Sequence, residues 1–348
     1  MKLLWNHLKP CIKSILLPCK FVLYLLLTRL VLRVLFLTHN RQIAVTLNTS
    51  KLNDGSGAQI QRLLSTFLIA SVFKIGYLHS NIVSIQIHPL DSFQDSDSLQ
   101  KYLVRINEKF LLPSSHYNFD SFEVLERDSL KLFDLAHLRL MSILTGRRFL
   151  IRIVDPYPVS EYLVSQFALV KSALPNQVQA TPNQLAEGIK TVVIHHRQGV
   201  GGQVIYPGQL ISRELSIGYF LKVLGEITRT IDQTSLRIVV HTDAPLTDSF
   251  YIPTSEQTEL WEGTPRFENG KLELRASEIE GTLTRAGYAV SVKHGGDPLL
   301  SIEEMAVADF LIMGRSSLSY VGGILNQSGK VFAAPNFWHK SMPHWIKI

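Results

Sequence analysis

From residue 41 onward, short aliphatic and β-branched runs alternate with segments of helical period, and few architectures accommodate such an alternation. "RQIAVTLN" (41–48) reads as a strand and "GSGAQIQRLLSTFLIASVFK" as a glycine turn opening a helix. "IGYLHS" reads as the next strand, helical periodicity follows around 98–111 and 127–143, and "FLIRIV" (149–154) is another strand. "VSEYLVSQFALVKSAL" (159–174) is amphipathic at helical spacing. A polar stretch with two prolines, "PNQVQATPNQLAEG" (175–188), has the composition of a linker. Beyond it a second series starts with "TVVIHH" and runs through "SIGYFLKVLGEITRTI", "LRIVVHTD", "YAVSVKH", "LSIEEMAVA", "DFLIMG", "SLSYVGGILNQ" and "KVFAAP". Strands that are apolar throughout and separated by helices belong to parallel sheets covered on both faces. The expectation is therefore an α/β chain of two Rossmann-like domains, 41–180 and 181–348, facing a cleft at the carboxyl ends of their strands.

Residues 1–40 differ from this body. The net charge is +6, but eight lysines and arginines precede the first acidic residue, Asp54, so the chain from there on carries −2 (+6 less +8). The basic arm is also the apolar arm, which removes the main support for nucleic-acid binding and favours a membrane surface. "FVLYLLLTRLVLRVLFL" (21–37) is apolar enough for a bilayer, yet Arg29 and Arg33 lie near its middle. Each central arginine costs about 2.5–3.5 kcal/mol on the insertion scale, which brings the sum close to balance. The two sit on one helical face, as suits a helix lying in the interface. A hydrophobic N-terminal helix that associates with a membrane is expected, with a helix docked on the body as the alternative. Both cysteines, Cys11 and Cys19, lie in this arm, so the body holds no internal disulfide; this fits a reducing compartment, and their place beside an apolar segment also allows S-acylation.

Three strand ends carry unusual polarity. In "NDGSGAQIQR" (53–62), Gly55 and Gly57 permit close approach of backbone, and the following helix offers its N-terminal NH groups to an anion. A tight turn alone would equally explain the glycines, and Ile60 breaks the GxGxxG spacing of dinucleotide enzymes. In "VVIHHRQGVGG" (192–202) a β-branched run ends in His195, His196 and Arg197 before glycines 199, 201 and 202. A guanidinium engages two phosphate oxygens at once, although a strand running out into solvent would read the same way. In "DFLIMGRSSLSYVGGILN" (309–326), Ser316, Ser317 and Ser319 cluster where a helix begins, as helix caps or as a phosphate site. Between these lies "IVVHTDAP" (238–245), a strand ending in His241, Thr242 and Asp243.

Taken in order, GxGxQ, HxRxG, T-D-x-P and G-x-S-S-x-S resemble the GDP-fucose-dependent fucosyltransferase superfamily (α1,2-, α1,6- and protein O-fucosyltransferases) over roughly residues 41–340. The resemblance implies a GT-B-like fold and a metal-independent, inverting transfer of fucose, or a related sugar, from a GDP-sugar to a glycan acceptor. Arg197 would then bind the donor diphosphate and stabilise departing GDP, and His195 would line the donor pocket. Asp243 would lie near the nucleotide, Ser316, Ser317 and Ser319 would hydrogen-bond phosphate, and Gly55, Gly57 and Gln59 would form the glycine loop beside the donor. Preorganised donors of this kind stabilise the charge that builds on a leaving diphosphate, so no metal cofactor is expected. The one Asp-x-Asp, Asp95-Ser96-Asp97, reads as solvated loop.

Two positions depart from the HxRRGD of many relatives: Gln198 and Val200 stand where the second arginine and the acid would be. No acidic residue occurs between Arg197 and Glu214, which leaves His196 as the candidate base by chemistry. A UDP-linked donor on the same fold, an inactive nucleotide- or glycan-binding member and a membrane-anchored scaffold stay open as alternatives. GDP-sugars in a bacterium are cytosolic, which puts the body on the cytoplasmic face; a eukaryotic chain of this layout would place it in the Golgi lumen.

Overall fold

The computed structural model describes residues 40–87, 91–175, 188–197, 215–244, 276–326 and 329–348, with the backbone of short strands between 203 and 212 and between 267 and 272. The apolar arm, most of the linker, Gln198 and Val200 lie outside the described residues.

In the first half, β1 (Asn40–Leu47) leads through a turn into α1 (Ser56–Phe73), then β2 (Ile75–Tyr77) and α2 (Ser96–Lys109). β3 (Glu123–Ser129), α3 (Leu132–Thr145) and β4 (Phe149–Asp155) follow, then the short α4 (Tyr157–Ser160) and α5 (Ala168–Ala173). The four strands form a parallel sheet in the order β2-β1-β4-β3. The second half holds β5 (Lys190–His196), an antiparallel hairpin of β6 (Gln203–Tyr206) and β7 (Gln209–Ser212), α6 (Ile217–Thr228) and β8 (Leu236–Thr242). A small antiparallel pair, β9 (Phe267–Glu268) and β10 (Lys271–Leu272), precedes α7 (Ala276–Arg285) and β11 (Ala289–His294). Last come α8 (Pro298–Val307), β12 (Phe310–Ile312), α9 (Ser317–Leu325) and β13 (Lys330–Phe332). Its main sheet is parallel throughout, in the order β11-β8-β5-β12-β13.

The apolar runs explain these sheets. Val192, Val193 and Ile194 are buried between β8 and β12, as Ile43, Ala44 and Val45 are between β2 and β4. Two readings are corrected. The helical pattern around 127–143 begins only at Leu132, because 123–129 is an edge strand whose residues are mostly exposed. The stretch 159–174 is broken into α4, a 3₁₀ turn at Val164–Gln166 and α5, and is not one amphipathic helix. At the break, Glu161 turns to the chain's C-terminal segment, accepting from His339 Nδ1 and from the Lys340 amide, each at 2.8 Å.

α1 is the joint between the halves. It is buried on almost every side, because the first sheet covers one face and α9 of the second half packs on another. Ion pairs Arg105–Asp297 (2.6 Å) and Lys109–Glu303 span the same junction, and Lys171 donates to the Asn326 carbonyl at 2.7 Å. The C-terminal segment is anchored by buried Met342 and Trp345. Among the described residues, no helix is long and apolar enough to cross a membrane.

Candidate functional site

A cleft of about 240 Å³ opens between the halves, at the carboxyl ends of β5, β8 and β11 and beside the N-termini of α1 and α9. A single water needs about 10–15 Å³ by that measure, so the cleft admits a ligand of many atoms.

Its positive end is built from backbone and one guanidinium. Gly55 is the N-cap of α1, so the cap brings no side chain to the first NH groups, and the first turn carries no acidic residue. Ser316 caps α9, its Oγ accepting from the Leu318 amide at 3.2 Å. The two N-termini converge on each other: a Cβ on Gly57 would fall 2.6 Å from Leu318 N. Each helix start carries roughly half a positive charge, so two at one point favour an anion. Arg197 follows β5 at the same wall, and its Nη1 meets Asp243 Oδ2 at 2.6 Å. That pair is largely enclosed, with side chains 20% and 10% exposed.

Strand alternation sorts the histidines. His195 and Arg197 share the cleft face, whereas His196 points to the opposite, covered face of β5. There its Nδ1 bonds Thr242 Oγ1 at 2.9 Å and its ring sits edge-on to Phe220. Burial pushes His196 down to about 4. The geometry thus takes His196 out of the cleft, and with it the base expected there. Among the described residues His195 Nδ1 is buried without a hydrogen-bond partner; burial, only partly offset by Asp243, pushes this ring down to about 3.

Both rings are therefore neutral in the folded protein while the unfolded chain protonates near 6.5. A depressed folded pKa means that protons bind the unfolded state first, so stability is complete above pH 6.5 and declines as pH falls toward 4. For His196 the difference amounts to roughly 3 kcal/mol below pH 4. The urea midpoint is expected to fall between pH 7 and pH 5; a midpoint that does not move would mean that these rings are hydrated.

Of the residues singled out by sequence, Gly55, Gly57, His195, Arg197, Asp243, Ser316 and Ser317 line the cleft together. Two others are buried away from it because the backbone uses them. Gln59 donates to the carbonyls of Asp54 (3.0 Å) and Ser84 (2.6 Å), fixing the loop that feeds α1. Ser319 donates to the Gly314 carbonyl at 2.8 Å and holds the turn before α9. Gly314 itself permits close approach, since a Cβ there would lie 2.4 Å from the His195 carbonyl oxygen. Asp95 is the N-cap of α2, accepting from the Ser98 amide at 2.8 Å.

Other parts of the site were not assigned from the sequence: His241 was noted only as a strand end, and Ser301 and Glu304 not at all. His241 Nε2 lies 2.8 Å from Glu304 Oε2, and its Nδ1 lies 3.1 Å from Ser301 Oγ. Glu304 is lowered to about 2, chiefly by the bond to His241 and further by Lys293. A carboxylate only accepts, so Nε2 carries the proton and Nδ1 accepts from the Ser301 hydroxyl. Ser301 lines the cleft, so the chain Ser301–His241–Glu304 can draw a proton out of it. Gly295 and Gly296, with φ of 64° and 101°, turn β11 into α8 along the same wall, and Trp338 adds an aromatic face. Only the "HGGDP" turn gave a local sign of this; Ser301 and Glu304 are one helical turn apart, but their partner His241 is distant in sequence. Among the described residues, no group of three or more His, Cys, Asp or Glu side chains is placed to hold a metal ion.

Fold and cleft together define a protein of two parallel α/β halves with a cleft between them that two helix N-termini and one arginine line. No protein-family model matches the chain, and no curated protein matches it. Among solved structures it is similar to E. coli heptosyltransferase WaaC with ADP-2-deoxy-2-fluoro heptose, at 10% identity and a TM-score of 0.36, covering 88% of this chain and 92% of that one. It is also similar to the apo structure of OtsA, at 12% identity and a TM-score of 0.26, covering 88% of this chain and 61% of that one. Both overlaps are loose, and the architecture stands on its own two sheets.

Proposed function

We propose that this protein is a glycosyltransferase of GT-B-like architecture that takes a sugar from a nucleoside-diphosphate donor and delivers it to a glycan or glycoconjugate acceptor. The observation that carries the reading is the meeting of two helix N-termini and Arg197 at one end of an interdomain cleft. A diphosphate presents its charge to such a site, and the same groups stabilise the charge that grows as the sugar leaves. The order of motifs favours a GDP-linked sugar, fucose in the first instance, and the neighbouring NH groups and guanidinium do the work of a cation. The basic apolar arm, residues 1–40, attaches the body to a membrane, at its cytoplasmic face.

Proton transfer falls to Ser301 and His241 in place of His196. The acceptor hydroxyl passes its proton to Ser301 Oγ as Ser301 passes its own to His241 Nδ1, and Glu304 stabilises the imidazolium that forms. Replacing Glu304 with glutamine is expected to lower kcat for sugar transfer or donor hydrolysis about 10–100-fold while nucleotide affinity holds. An equal loss of affinity would make Glu304 a structural residue and remove the relay.

The reading is tested by titrating the protein with GDP, UDP, CMP and ADP by calorimetry, without and with Mg²⁺. Metal-independent GDP binding supports it; preference for UDP or ADP keeps the enzyme class and discards the GDP donor. Binding without transfer or hydrolysis across a broad panel points to an inactive member, and no binding by any nucleotide overturns the reading.

A further inference from the structure

α3 presents two unlike faces. Leu135, Leu138, Arg139 and Ser142 are buried on the side that lies against β1. On the other side Phe133, Leu140, Ile143 and Leu144 are 61%, 48%, 55% and 71% exposed. Phe133, Leu140 and Leu144 fall seven and then four residues apart, so they form one line along the helix, with exposed His137 between them. Single exposed apolar residues are ordinary, whereas a contiguous stripe of this kind marks a contact surface.

The position of the stripe identifies what covers it. Ser142 Oγ donates to Gln42 Oε1 at 2.7 Å, which sets the last turn of α3 over the first residues of β1. Following β1 backward leads straight into the arm, since only Thr38 and His39 separate Leu37 from Asn40. Five residues from Leu37 to Gln42 reach at most about 18 Å. An arm lying in the interface buries its apolar face about 5–10 Å into the headgroup–acyl boundary. Whatever surface the arm enters therefore lies within a short reach of Leu144. Basic side chains flank the stripe as well: Arg147 and Arg148 follow the end of α3, the first paired with Glu123 and the second over the Phe122 ring, and the arm is basic. Basic residues at the margin of an apolar stripe sit at headgroup level.

We propose that the exposed face of α3 is a membrane-docking surface that enters the lipid interface beside the arm and holds the body against the bilayer in one orientation. The proposal rests on membrane attachment through residues 1–40. The test uses the full chain with Cys11→Ser, Cys19→Ser and Leu144→Cys, the new thiol carrying a polarity-sensitive bimane. Mixed phosphatidylethanolamine–phosphatidylglycerol vesicles are added, with and without brominated acyl chains. The expected result is a blue shift that appears only with vesicles, quenching by the brominated lipids, and vesicle affinity at least about tenfold weaker in an otherwise native chain carrying Leu140→Ser and Leu144→Ser. Vesicle binding with a label that stays in water overturns docking by α3 and leaves the arm's attachment standing. A label already shielded before vesicles are added, and not quenched by lipid, assigns the stripe to the arm or, where the shift depends on protein concentration, to a second copy; either result overturns the proposal. Absence of vesicle binding overturns the attachment itself, and this proposal with it.

Discussion

Replacing Arg197 with alanine is expected to weaken nucleoside-diphosphate binding at least about 100-fold. Hydrogen bonds to charged groups contribute about 1.5–3 kcal/mol each, and a guanidinium makes two to a diphosphate. The loss is compounded by what remains. Asp243, 2.6 Å from Arg197 and lining the same cleft, would lose that cation and face an anionic ligand. Breaking a buried pair from one side also destabilises the protein, by roughly 3–5 kcal/mol. The double variant Arg197→Ala with Asp243→Ala separates the two effects: it is expected to regain stability and part of the affinity, because the carboxylate that would repel the ligand has gone. Arg197→Lys keeps the charge and loses the fork, so an intermediate loss of about tenfold is expected. The readout is the calorimetric affinity for GDP and UDP beside a urea midpoint for each variant. An unchanged affinity in a folded Arg197→Ala protein would mean that the diphosphate, if bound, sits elsewhere.

What the sequence disclosed follows from where information is local. Strands covered on both faces announce themselves, as Val192–Ile194 and Phe310–Ile312 do, since every position must be apolar. β3 is an edge strand with "EVLERDS" largely in solvent, and no apolar pattern is required of it. The break within 159–174 depends on Glu161 meeting His339, a partner 178 positions away. The site divides on the same line. His195 and Arg197 alternate onto one face of β5, a relation readable from strand period alone, and that period also places His196 on the other face. Gln59 and Ser319 look like ligand-binding residues because polar side chains at helix starts serve ligand and backbone equally well. Here the backbone takes both. Ser301, His241 and Glu304 have no shared local motif, and only the stacking of α8 on the end of β8 brings them together.

The two glycines of "GSG" are expected to behave differently, and the contrast tests how the halves meet. At Gly55 an added Cβ finds nothing among the described residues nearer than the Gln86 carbonyl at 4.0 Å, and φ is −66°, so alanine there should cost little beyond a weaker cap. At Gly57 the added Cβ would lie 2.6 Å from Leu318 N and 2.7 Å from Leu318 Cα. Both atoms are backbone, so no rotamer change relieves the clash; the starts of α1 and α9 must move apart. α1 is buried against the first sheet and α9 against α8, so neither helix moves alone. Forced overpacking of this kind costs about 1–3 kcal/mol, and here it also opens the convergence of NH groups on which the anion site depends. Gly57→Ala is therefore expected to lower the urea midpoint clearly and to weaken GDP binding by at least about tenfold, while Gly55→Ala leaves both near wild type. If Gly57→Ala instead binds and unfolds like the parent protein, the halves can separate at this contact, and the cleft works as a hinge and not as a fixed cradle.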